Sequence, residues 1–120
     1  MAKRIMTCKA APEIELQFDG GEVILLRFDI RCLSNIQELE GGMEGFLKKT
    51  FTEMAAAILY AAGKDLNDGL DELKARELIS KMAIENIVEL IEIFQESVGA
   101  KGGNDEVAKK LMAQFLANKK

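Results

Sequence analysis

Polar and apolar residues alternate near the start of the chain: Ile14, Leu16 and Phe18 fall between Glu13, Glu15 and Gln17, the period-two pattern of a strand with one buried face. Asp19, Gly20 and Gly21 follow, residues able to supply the positive φ angles of a tight hairpin turn. Residues 22–28 (EVILLRF) return as a more continuously apolar strand, predicted to pack on helices. Upstream, residues 3–9 (KRIMTCK) mix polar and apolar positions and are read as a short edge strand, set off by the single proline, Pro12. The first quarter of the chain is therefore expected to be an antiparallel hairpin or a three-stranded meander.

The spacing then becomes helical. Asp29 predicts the cap of a helix over residues 30–40, with Ile30, Leu33, Ile36 and Leu39 inward and Gly41 and Gly42 as its stop. Residues 43–62 predict one longer helix with Phe46, Leu47, Phe51, Met54, Ile58 and Leu59 on a stripe, and Gly63 as a left-handed cap. Beyond the polar loop 64–70, residues 71–82 predict a shorter amphipathic helix with Leu73, Leu78, Ile79 and Met82 inward.

Residues 83–98 (AIENIVELIEIFQESV) form the most apolar helical stretch and are expected to be the central core helix, with room for a kink near Ala83. Ile84, Ile87, Val88, Ile91, Phe94 and Val98 share one stripe, and Leu90 and Ile93 widen it past half the circumference. Glu85, Glu89, Glu92 and Glu96 fall together opposite that stripe as an acidic ridge. Like charges at this spacing repel by a few tenths of a kcal/mol per pair, so apolar burial must hold the helix. Residues 100–105 read as a flexible linker, and 105–118 as a thin basic helix. The expected class is α+β, mainly helical: a hairpin or meander followed by about five α-helices. Residues 1–100 are expected to form a single compact domain, and 101–120 a linker plus basic C-terminal helix.

Composition narrows the class. A chain of 120 residues with 48% hydrophobic residues is long enough for one core. It has no apolar run able to span a bilayer, and its start lacks the apolar block of a secretion signal, which predicts a cytoplasmic protein with no membrane partner. Cys8 and Cys32 stand apart and are expected to be reduced thiols. The net charge of −4 argues against direct nucleic-acid binding. That charge is unevenly spread: residues 1–100 carry 11 Lys and Arg against 18 Asp and Glu, whereas 101–120 carry 5 against 2.

Chemistry has little to work with. There is no histidine, and the one tyrosine, Tyr60, follows an apolar helical run. Glu85 and Glu89 could share a metal across one turn, but without His or Cys partners a solvated face is the expected role. The loop KDLNDGL holds Asp65, Asn67, Asp68 and Gly69 in a faintly calcium-like spacing, yet the later ligands are out of register. Neither glycine pair has the Lys and Ser/Thr company of a phosphate loop. No catalytic residue, metal or cofactor is expected, and the protein is read as a non-enzyme.

The order of segments carries one family likeness: a strand ending in FDG, a return strand running into FDIRCLSNIQELEGG, a middle helix, then KARELISKMAIENIVELIEIFQES. Over most of residues 13–98 this resembles the tail assembly chaperones of long-tailed bacteriophages and prophages. The resemblance implies a protein that coats the long, aggregation-prone tape measure protein and is displaced as the major tail protein polymerises. A longer product made by ribosomal frameshifting is also common in that family. A holdase needs exposed apolar surface on a charged body, and the surface expected to meet the client or a second copy in a homo-oligomer comprises Phe46, Phe51, Leu90, Ile93 and Phe94. The basic tail is expected to dock on the Glu85, Glu89, Glu92 and Glu96 ridge. The rival readings are a structural phage adaptor or connector, and a small oligomeric regulatory protein.

Overall fold

The alternation at residues 13–18 folds as a hairpin. A computed structural model describes residues 3–98, in which β1 (Glu13–Gln17) pairs antiparallel with β2 (Val23–Arg27), Glu13 opposite Arg27 and Gln17 opposite Val23. Between them the Gly21 N–H donates to the Phe18 carbonyl and the Phe18 N–H to the Glu22 carbonyl, both at 2.9 Å. Gly21 alone of the three turn residues is left-handed, at φ 89°, which closes the loop as a type I turn with a one-residue bulge. Residues 3–9 pair with no strand, so the described sheet is a hairpin and not a meander. Ile24, Leu26 and Phe28 are buried, while Val23 and Leu25 face outward.

Five helices follow: α1 (Ile30–Gln37), α2 (Gly42–Leu47), α3 (Phe51–Gly63), α4 (Glu72–Ser80) and α5 (Ile84–Ser97). Asp29 caps α1 as predicted, its carboxylate accepting from the Arg31 and Cys32 N–H groups. The buried face of α1 is Cys32, Asn35 and Ile36, and Ile30 is exposed. Residues exactly three apart drift around a helix by about 60° per step, so a strict three-residue repeat cannot keep Ile30 and Ile36 on one side.

The single helix expected over 43–62 is two. Residues 48–50 interrupt it, and Thr50 starts α3 with a reciprocal cap: its hydroxyl accepts the Glu53 N–H at 3.3 Å while its own N–H donates to the Glu53 carboxylate at 3.4 Å. Helix α3, not α5, is the centre of the fold. It touches β2, α1, α2, α4 and α5, and its buried residues include five alanines, whose small size lets neighbours approach from several sides.

Gly63 is the last residue of α3, without a positive φ, so it is not the left-handed cap expected of it. A Cβ there would lie 2.8 Å from a Leu70 methyl and 3.0 Å from a Leu26 methyl, so the missing side chain is what lets α3 approach β2. In α4 the core takes Ala75, Leu78 and Ile79 and leaves Leu73 exposed. Residues 81–83 separate α4 from α5 as a break and not a kink.

Two asparagines stitch the layers. Asn35, the one buried polar side chain described, donates to the Ala61 carbonyl at 2.9 Å and to the Asp65 carboxylate at 3.0 Å. Asn67 reaches from the α3–α4 loop to β2. These contacts give two of the calcium-like loop residues structural work, and among the described residues no group of three or more His, Cys, Asp or Glu is placed to hold a metal ion.

Candidate functional site

Helix α5 is divided lengthwise by its sequence. Ile87, Leu90, Ile91 and Phe94 are buried, and at 100° per residue Glu85, Glu89, Glu92 and Glu96 lie on the opposite side, all exposed. The acidic ridge is therefore formed as the spacing predicts. Two flanks separate ridge from core. One carries Ile84, 74% exposed, and Val88, 40% exposed, four residues apart. The other carries half-buried Ile93 with Asn86 and Glu89, and faces β1 across a groove of about 940 Å³.

One wall of the groove is β1 and its turn, and the other is the α4–α5 connection with α5 as far as Ile93. Ile14, Leu16, Phe18, Met82, Leu90 and Ile93 supply its apolar lining, and Glu15, Asp19, Glu22 and Glu89 its acidic groups, against one lysine, Lys81. Lys81 pairs with Glu77 at 3.8 Å, and Glu22 with Lys74 at 2.9 Å. The hydrogen bond it donates to the Glu22 carboxylate holds the Lys74 ammonium above its usual pKa.

The backbone of β1 has an open side. Phe28 donates to Pro12 and Phe18 to Glu22, which fixes the even-numbered residues of β1 as those that bond to β2. The N–H and C=O groups of Glu13, Glu15 and Gln17 consequently point away from β2, and no described backbone group pairs with them. On the far side of the sheet Asn67 covers the corresponding groups of Leu25. The outer edge of β2 is capped at Leu25, and the outer edge of β1 has no described backbone partner.

The residues expected to contact a client divide sharply. Phe46, Leu90 and Phe94 are 0%, 2% and 5% exposed, and the rings of Phe46 and Phe94 meet edge to face with centroids 5.6 Å apart. They join α2 to α5 inside the core and offer no free surface. Phe51 is exposed at the start of α3, and Ile93 lines the groove. Ile84 and Val88 share the helical stripe with the buried residues of α5 but lie at its edge and face out. The basic segment expected to dock on the ridge lies outside the described residues. Cys32 is buried, and desolvation, with the nearby Asp29 charge second, pushes its thiol up to about 12, while Cys8 is exposed. No protein-family model, curated protein or solved structure matches the chain.

Proposed function

We propose that this chain is a tail assembly chaperone of the long-tailed bacteriophage kind, a cytoplasmic binding protein that keeps the tape measure protein soluble until the major tail protein displaces it. The observation that supports this most directly is the uncovered pair Ile84 and Val88 beside the acidic ridge of α5. A client helix lays its apolar stripe along that pair, in the manner of a helix on a helix face. The ridge, on a body whose first 100 residues carry 18 acidic against 11 basic side chains, keeps the loaded complex dispersed. Among the described residues no helix is long and apolar enough to cross a membrane. The role is binding alone, without a cofactor.

The test is co-expression with the tape measure protein of the same operon. The wild-type chain is expected to hold that protein in the soluble fraction, and Ile84→Asp with Val88→Asp to release it into the pellet while the variant keeps its helical circular dichroism. Full solubilisation by the folded double variant would overturn the assignment of this flank.

A further inference from the structure

We infer that the bare edge of β1 is the docking site for residues 3–9 of a second copy of this chain, exchanged reciprocally in a two-fold dimer. Every residue from 3 to 10 is exposed, so Ile5, 85% exposed, and Met6, 75% exposed, form an uncovered apolar pair. The segment holds Lys3, Arg4 and Lys9 and no acid, whereas the groove presents Glu15, Asp19 and Glu89. Seven residues in extended form span about 23 Å, enough to cover the five of β1.

Return of the segment onto its own β1 is blocked by the chain between them. Residues 9–12 (Lys-Ala-Ala-Pro) contain no glycine or asparagine to make the left-handed turn of a hairpin, and no described non-glycine residue has a positive φ. In trans the geometry closes. Antiparallel pairing of residues 3–17 with the same residues of a second copy, centred on Ala10, sets Ile5 opposite Glu15 and Thr7 opposite Glu13. The open N–H and C=O groups of β1 then gain partners, and Met6 falls on the face of the sheet that carries Ile14 and Leu16. Pro12 does not obstruct this, because its carbonyl already accepts from Phe28 and its missing donor therefore lies on the β2 side. This dimer stands on the groove alone and is independent of the client proposed above.

Sedimentation equilibrium of the full chain tests it. A dimer is expected for the wild type, twice the 13.3 kDa chain mass, falling to a monomer of less than 13.3 kDa when residues 2–9 are deleted. Glu15→Pro removes one outward N–H without touching a β1–β2 hydrogen bond and is expected to give a folded monomer. Lys3→Glu with Arg4→Glu is expected to weaken the dimer by roughly tenfold or more at low salt. If Glu15→Pro fails to fold, the deletion decides, since the removed residues make no described strand pairing. A wild-type monomer throughout, or a dimer that survives the deletion, overturns the inference. So does dissociation only on removal of 101–120, which would give the groove to that segment.

Discussion

The side-chain amide of Asn67 holds the backbone of Leu25 as a neighbouring strand would. Its Oδ1 accepts the Leu25 N–H at 3.0 Å, and its Nδ2 donates to the Leu25 carbonyl and to the Gly63 carbonyl, both at 2.7 Å. This one residue caps the β2 edge at Leu25 and ties the sheet to the end of α3. Asn67→Ala is expected to cost about 1–3 kcal/mol in chemical denaturation, because the Leu25 N–H and C=O lose their partner together, while the Gly63 carbonyl keeps the Leu66 and Asn67 backbone donors. Asn67→Asp is expected to cost at least as much near neutral pH, since a carboxylate cannot donate to the two carbonyls. Hydrogen exchange at the Leu25 amide should rise in both variants and stay low in the wild type.

Gly63→Ala reverses the usual effect of that change in a helix. Alanine normally gains up to about 1 kcal/mol over glycine inside a helix. Here its methyl would stand 2.8 Å from a Leu70 methyl, 3.0 Å from a Leu26 methyl and 3.1 Å from the Asn67 amide nitrogen, so these packed side chains must shift and the Asn67 hydrogen bonds are disturbed with them. A net loss of about 1–3 kcal/mol is expected from urea denaturation, and a gain in stability would show that this approach is not tight.

The two sets of apolar residues on α5 should respond to truncation in opposite ways. Phe94→Ala and Phe46→Ala remove halves of one edge-to-face pair in the core, and each is expected to lower stability by about 3–5 kcal/mol. Ile84→Ala and Val88→Ala should change stability far less, since Ile84 is 74% and Val88 40% exposed. Comparing denaturation midpoints for the four variants separates packing from binding: a client defect in the second pair cannot then be attributed to unfolding.

The contrast shows what the pattern of the chain could and could not convey. The hairpin, the Asp29 cap, the bounds of α5 within one residue at each end and the acidic ridge were all legible, because each rests on local spacing or one cap residue. Burial on α5 was less so: periodicity finds an apolar sector but not which part of it another element covers. The same limit made α3 look secondary. Its alanines contribute little to hydropathy, yet their small size makes it the helix on which the rest packs. The break before α3 was present as Thr50 and Glu53 in capping-box spacing, but was overridden by the apolar stripe running through it. The open β1 edge had no sequence signal at all, since it follows from which strand lies beside the sheet and which does not.

The two thiols should be chemically unequal. Cys8 is exposed, whereas burial raises Cys32 from an ordinary 9.0 to about 12. A maleimide at pH 7 is expected to modify one thiol per chain in the native protein and two in denaturant, read by intact mass. The raised value also sets a direction for stability. The unfolded thiol ionises near pH 9 while the folded one stays neutral, so the contribution is complete below pH 9 and is lost as pH rises toward 12. Cys32→Ala should flatten that alkaline decline.

At the acid end the cap of α3 provides the corresponding test. The backbone N–H of Thr50 is the main cause holding the Glu53 carboxyl below its usual value of 4.5, with the Thr50 hydroxyl second. A lowered folded value means that stabilisation is present above the unfolded pKa and fades as pH falls through the folded one. Glu53→Gln should therefore lose most relative to wild type near neutrality, and the two stability curves should converge as the pH drops below 4.5. Thr50→Ala removes the hydroxyl acceptor as well and is expected to cost about 1 kcal/mol at pH 7. In that variant the effect of adding Glu53→Gln should shrink, because the carboxylate has lost the hydroxyl that helps fix it at the N-terminus of α3. Full additivity of the two changes, measured by urea denaturation, would show that Thr50 and Glu53 act on the helix separately and not as a reciprocal cap.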